Sequence, residues 1–243
     1  MPWRATRDSY QILVSEVMLQ QTQVSRALKF YSKFIKLFPS FKTLARAKTA
    51  DVLRAWQGLG YNRRALSLQK LAQSVVENYG GKLPCDRAAL ELLPGIGKGT
   101  SGSLMAFVFN EPVVFIETNI RRVFIHHFFP KRRKVADPEL EPLVAHTMGK
   151  KKPREWYWAL MDYGAMLGED SRGRAKGNPN VRSKHYVRQS KFVGSDRELR
   201  GKLLKLFLLK KQIVPAVAAR LFGEPVARVK RIANALSHEG FLG

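Results

Sequence analysis

Apolar residues recur at three- and four-residue intervals along nearly the whole chain, and that spacing predicts helices. Residues 9–20 place Ile12, Leu13, Val17 and Leu19 on a broad apolar face, with Glu16 among them. Residues 24–37 continue the spacing through Val24, Leu28, Tyr31, Phe34 and Ile35 until Pro39 and Ser40 stop it. Thr49 is expected to cap a short helix over 50–56, which Gly58 and Gly60 end. Further helices are predicted over 62–78, over 87–92 behind an Asp86 cap, and over 99–109, 118–128 and 154–167. Val113 to Ile116 reads as a short extended stretch. No internal repeat is evident.

The pattern breaks at 168–190, which is polar, basic and rich in Gly, Asn and Ser, and is expected to be a loop. Beyond it, 196–211, 214–222 and 225–238 predict three short helices. Their order fits a helix-turn-helix or wingless winged-helix unit, and equally an ordinary helical appendage. The expected organisation is therefore a core over 1–167, a basic loop over 168–190 and a small helical module over 191–243, all-α throughout.

Charge narrows the partners. Among 243 residues, 43 Lys and Arg face 19 Asp and Glu, a formal excess of +24. Such an excess calls for a polyanion, with nucleic acid ahead of an anionic membrane surface. The 45% hydrophobic content and 14 Phe can build a core, so a disordered basic tail is excluded. A single cysteine excludes a disulfide framework, a zinc finger and a Cys-ligated iron–sulfur cluster. The sequence holds no run of 18 apolar residues, and MPWRATRDSY has no apolar signal region. A cytoplasmic monomer, with no membrane partner, is expected. His126 and His127 diverge on a helix and have no ligand set around them, so no metal is expected there.

The strongest local signal is Leu93-Pro94-Gly95-Ile96-Gly97-Lys98-Gly99-Thr100, between two apolar helices. Alternating glycines let the backbone turn tightly and approach a ligand. The helix behind them offers free N–H groups to an anion, and Lys98 adds a charge. This reads as a helix-hairpin-helix contact to a DNA phosphate through Gly95, Gly97, Lys98 and Gly99. A nucleotide-binding P-loop would need a strand before it and Ser or Thr after the lysine. Here Gly99 follows Lys98 and a helix precedes.

Taken with Val14-Ser15-Glu16-Val17-Met18-Leu19-Gln20-Gln21-Thr22-Gln23, Gly58-Leu59-Gly60-Tyr61, Glu117-Thr118-Asn119-Ile120-Arg121-Arg122-Val123 and Met161-Asp162-Tyr163-Gly164-Ala165, the hairpin resembles the helix-hairpin-helix (HhH-GPD) DNA glycosylases. Within them it is most similar to the MutY-type adenine glycosylases, over about residues 2–167. The resemblance implies base-excision repair: a base is flipped out of duplex DNA and its N-glycosidic bond hydrolysed, most readily adenine opposite 8-oxoguanine or guanine. It implies Glu16 as the acid that protonates the base. Glu117, with Asn119, stands where the family has an Asp that stabilises the cationic sugar. Helix capping is an alternative role for Glu117. Trp3, Arg4, Leu19 and Trp158 would line the base pocket. Gln21, Thr22 and Tyr61 would wedge the duplex, and Arg64 and Arg121 would join the phosphate contacts. Strand-cleaving relatives have a nucleophilic lysine where this chain has Gly99, so no lyase step is implied.

The sequence departs from the family in four places. The cysteine quartet for a [4Fe–4S] cluster is missing after Gly164-Ala165-Met166, and the one cysteine is Cys85. The expected cofactor set is thus empty, apart from an optional monovalent cation at the hairpin. A NUDIX-like domain is replaced by the basic helical module. Trp158 stands where relatives have a Gln or Glu against the adenine, and Met1 falls where they already have a helix. Thymine or uracil opposite guanine, or lesion binding without catalysis, remain alternatives. Arg121-Arg122, Lys131-Arg132-Arg133-Lys134, Lys150-Lys151-Lys152 and the loop residues Arg172, Arg174, Lys176, Arg182, Lys184 and Arg188 are the expected DNA-facing cations.

Overall fold

The amphipathic spacing is realised as helices in the computed structural model, which describes residues 1–149, 151–170 and 177–242. In chain order they are α1 (Ser9–Leu19), α2 (Val24–Leu37), α3 (Phe41–Arg46), α4 (Thr49–Trp56), α5 (Arg63–Tyr79), α6 (Arg87–Glu91), α7 (Lys98–Leu104), α8 (Thr118–Phe128), α9 (Asp137–Thr147), α10 (Pro153–Asp170), α11 (Asp196–Lys210), α12 (Pro215–Phe222) and α13 (Val226–His238). The described residues hold no strand, only a bridge between Val135 and Ser183. The fold class is all-α, as the periodicity indicates.

The chain divides into two compact units, each built from two stretches. One comprises Met1–Gln21 and Ser74–Arg188; the other comprises Thr22–Gln73 and Gln189–Gly243. In the first unit the core gathers Ile12 of α1, Phe107, Phe115, Ile120 and Phe124 of α8, Leu140 and Val144 of α9, and Tyr157 of α10. Burying such side chains is the main driving force here, roughly 1.5–3 kcal/mol for each large one. In the second unit Phe34 sits edge-on to Trp56, with centroids 5.6 Å apart. Leu199, Leu203 and Leu204 of α11, and Ile232 and Leu236 of α13, are also buried in that unit.

Several local expectations are corrected. Thr49 is the first residue of α4, not its cap; Lys48 holds the cap position. The Thr49 hydroxyl instead donates to Gln69 Oε1 at 3.1 Å. The helix expected over 99–109 begins at Lys98 and is α-helical only to Leu104; Met105–Phe109 is a π-turn ending on Asn110 in the left-handed region. The 168–190 segment is not all loop: α10 runs on to Asp170, and Pro179–Arg182 forms a 3-10 turn. Asn180 in that turn is buried and donates to Thr118 O of α8 at 3.0 Å. Two helices go unforeseen. α3 is set by its Ser40 cap, which accepts from Thr43 N. In α9 Pro138 falls in the first turn, where proline is tolerated, but Pro142 lies inside, against the usual rule for helices.

Candidate active site

Glu16 and Glu117 both lie in the first unit, near enough for the charge of Glu117 to act on Glu16. Asp8 caps α1 by accepting from Tyr10 N and Gln11 N. Seven of the eleven α1 residues are buried, so Glu16 has apolar neighbours on its own helix. Desolvation is the largest influence on its carboxyl and pushes the pKa to about 7. A hydrogen bond from Ser103 and the charge of Arg4 act the other way, while the charge of Glu117 raises it further. Ser103 also donates to Thr100 O at 3.0 Å.

Glu117 is held differently. It is the cap of α8, and its Oε1 accepts from Asn119 N at 2.6 Å and Ile120 N at 2.9 Å. The capping role considered from sequence is thus real, and it occupies one oxygen. Among the described residues Oε2 makes no hydrogen bond. Burial raises the Glu117 pKa, but both backbone N–H groups and the charges of Arg121 and Arg122 pull it down. The charge of Glu117 raises the Glu16 pKa, and the Glu117 carboxyl is itself shifted upward overall, with burial as the largest cause. The site therefore holds two desolvated carboxyl groups in different surroundings: Glu16 pushed up to about 7, and Glu117 tied to two backbone N–H groups.

Asn119 is fixed from its side chain, which accepts from Arg122 at 2.9 Å. Arg122 also donates to Gly164 O of α10. A Cβ on Gly164 would come within 2.5 Å of Asn119 O, so only glycine lets α10 approach this closely.

Of the expected pocket residues, Arg4 and Trp158 lie together. Arg4 makes two bonds to Asp162, at 2.7 and 2.8 Å, and its guanidinium stands 5.4 Å from the Trp158 ring centroid. Trp158 in turn stacks on Phe107 at 6.1 Å. Trp3 is buried and Leu19 half-buried. Nothing in the local pattern marks Ser103 or Asp162 as neighbours of the site. The Met161-Asp162-Tyr163-Gly164 motif is the one signal that could have pointed to Asp162.

The hairpin is formed as expected. Gly95 takes φ +83°, Ile96 N donates to Leu93 O at 3.1 Å, and Gly97 caps α7. Gly95, Gly97 and Lys98 are exposed, and Gly99 is half-buried. Arg87 braces the turn by donating to Lys98 O and Val114 O. Arg121 is already engaged: its guanidinium grips Asp137 through two 2.7 Å bonds.

The second unit holds Thr22, Arg64 and Tyr61. Gly58, Gly60 and Tyr61 all take positive φ. Arg64 is 9% exposed and donates to Gly60 O at 2.9 Å and Thr22 Oγ1 at 3.1 Å. Its guanidinium also stands 5.5 Å from the centroid of the Tyr61 ring. Burial lowers its pKa to about 10. Its bonds brace the turn that presents Tyr61. Gln21, in the first unit, is exposed at φ +53°. Lys150, Arg172, Arg174 and Lys176 lie outside the described residues.

The sequence profile of the HhH-GPD superfamily base excision DNA repair proteins matches residues 14–144, more than half of the chain. The chain belongs to this family. Among similar proteins is an adenine DNA glycosylase of Mycolicibacterium smegmatis, 34% identical over 235 residues, covering 91% of this chain and 79% of that one. An adenine DNA glycosylase of Buchnera aphidicola subsp. Baizongia pistaciae is 34% identical over 171 residues, covering 69% of this chain but 48% of that protein. The chain thus spans about half the length of the latter HhH-GPD relative. A thermostable thymine-DNA glycosylase structure aligns with TM-score 0.60 and 29% identity, over 68% of this chain and 78% of that one. A non-covalent endonuclease III–DNA complex shares the fold, with TM-score 0.58 and 19% identity, over 65% and 74%.

Members of the MutY-type branch hold an iron–sulfur cluster on four cysteines. The residues present do not fit one: the chain has a single cysteine, the exposed Cys85. Among the described residues no three His, Cys, Asp or Glu side chains group as a metal site. No described helix is long and apolar enough to cross a membrane.

Proposed function

We propose that this HhH-GPD protein is a DNA glycosylase that hydrolyses the N-glycosidic bond of a mispaired adenine, opposite 8-oxoguanine or guanine. The observation that carries this is the carboxyl pair: Glu16, pushed by burial to about 7, and Glu117, whose Oε1 is held by two backbone N–H groups. In this reading Glu16 donates its proton to a ring nitrogen of the flipped base. The C1′–N bond breaks and its electron pair leaves with the base. Glu117 stabilises the cationic sugar through its second oxygen, with Asn119 holding the cap in register. Water then adds to C1′, its proton returns to Glu16, and an abasic site remains. Gly99 supplies no amine, so the strand is left uncut. The protein works as a monomer on duplex DNA, without an iron–sulfur cluster, in the cytoplasm or nucleoid. An optional monovalent cation at the hairpin would bridge the turn to a phosphate.

The test uses duplexes with A opposite 8-oxoguanine and A opposite guanine, followed by alkali to cleave abasic sites. Wild type should give alkali-labile product, while Glu16→Gln should lose about 10²-fold or more in single-turnover rate. A Gln variant as fast as wild type would remove Glu16 from the chemistry.

A second reading rests on the Trp158 surface with Arg4 over it and on the likeness to a thymine-DNA glycosylase. A flat aromatic wall accepts a pyrimidine as readily as a purine. Release of thymine from T opposite guanine, with adenine duplexes untouched, would favour it.

A further inference from the structure

Tyr61 has a feature that its sequence neighbourhood does not explain. Its hydroxyl is held from the far end of the chain, within the second unit. Gln189 Nε2 donates to the Tyr61 hydroxyl oxygen. Arg197 Nη1 reaches the same oxygen at 3.4 Å. Arg197 is itself fixed, because its Nη2 donates to Ser190 O at 2.7 Å and its guanidinium lies 6.0 Å from the Phe192 centroid. A second tie stands two residues from Tyr61. Arg63 donates to Glu239 at 2.7 Å, and Arg200 of α11 grips the same carboxylate at 2.6 and 3.1 Å.

These ties act on a side chain that is otherwise awkwardly placed. Tyr61 is 39% exposed and its φ is +49°. An exposed ring on a left-handed residue has neither a packed core nor a favoured backbone to fix its direction. Arg64 holds one ring face. The hydroxyl bonds fix the other end of the ring, leaving its χ angles little freedom.

We propose that Gln189, at the end of the basic loop, and Arg197 of the C-terminal module are positioning residues that hold Tyr61 in the orientation from which it wedges the duplex. This rests on the reading of Tyr61 as the wedge. A ring already oriented loses less conformational freedom when it enters the base stack. The module thereby acts on base flipping through a single oxygen atom, independently of any DNA contact of its own.

The experiment uses the full chain and a duplex carrying A opposite 8-oxoguanine, with 2-aminopurine beside the adenine to report unstacking by fluorescence. Tyr61→Phe keeps the ring and removes the oxygen. It, Gln189→Ala and Arg197→Ala should each lower the unstacking amplitude and the single-turnover rate by roughly three- to tenfold, the worth of a hydrogen bond or two. Thermal melting should be unchanged. Tyr61→Phe combined with Arg197→Ala should cost no more than Tyr61→Phe alone, because both remove the same interaction. Lys191→Ala, which deletes an exposed neighbouring charge, should match wild type. Should Tyr61→Ala be impaired while Tyr61→Phe, Gln189→Ala and Arg197→Ala all match wild type, the wedge reading stands and the positioning role is overturned. Additive losses in the double variant would overturn it too. A fully active Tyr61→Ala would remove the wedge reading and this proposal together.

Discussion

At the scale of single residues, the protein keeps a carboxyl in its acid form by taking it out of water. That has a thermodynamic cost with a definite sign. Unfolded, Glu16 titrates near 4.5; folded, near 7. Between those values the unfolded chain has lost the proton that the native protein keeps, so stability falls as pH rises through that window. The loss is complete above about pH 7 and amounts to roughly 3 kcal/mol. Glu16→Gln removes the titration. Its melting temperature should equal or trail that of wild type near pH 4.5 and exceed it near pH 8. A difference that stays constant with pH would contradict the burial of Glu16 as an acid.

Glu16 and Glu117 are legible in the sequence because each sits in a motif beside residues of one chemical purpose. Their unequal treatment is not. It depends on Ser103 and Arg4, far off in sequence, and on a cap geometry that places two N–H groups on one carboxyl and none on the other. The Arg4–Asp162 pair is equally hidden, being 158 residues apart along the chain.

At the scale of elements, the close approach of α8 and α10 decides where the carboxylate stands. Gly164 faces Asn119, and Gly168 faces the Arg122 guanidinium at 2.4 Å from an added Cβ. Both are placed where α10 can press against the start of α8. Gly164→Ala must push Asn119 away, since the atom it meets is backbone and cannot swing aside. The expected outcome is a loss of about 1–3 kcal/mol in denaturant unfolding, together with a drop in glycosylase rate larger than the fall in DNA affinity. Wild-type stability would show that the two helices are not so tightly apposed. Periodicity reveals α8 and most of α10 but says nothing of their separation. It also misses α9, because Pro142 argues against a helix interior that tertiary packing of Leu140 and Val144 nevertheless imposes.

At the scale of the whole molecule, the +24 excess is not spread over equally available cations. Arg121 is tied to Asp137, and Arg228 is tied to Asp196 and Glu224. Lys131, Arg133 and Lys134 stay exposed. Charge counting cannot separate these groups, since pairing is a property of the fold. The distinction appears in the salt dependence of duplex binding. The triple change Lys131→Ala, Arg133→Ala and Lys134→Ala should flatten the plot of log Kd against log salt by about one unit for each phosphate left without its cation. Arg121→Ala should leave the slope nearly as it was and instead destabilise the fold, by leaving Asp137 alone. The opposite pattern would mean that Arg121 leaves Asp137 for a phosphate.

The division into two units, each drawn from two separated stretches, also sets the order in which the chain can fold during synthesis. The first unit has all its parts once Arg188 is made, but the second begins at Thr22 and is complete only with the final stretch from Gln189. At ~5–20 residues per second, the stretch from the end of α4 to the end of α13 takes about 10–40 s to make. Through that interval Tyr61 and Arg63 lack their partners Gln189, Arg197 and Glu239. The turn that presents Tyr61 is therefore made long before the side chains that hold its hydroxyl, and its placement waits on the stretch that carries Gln189 and Arg197.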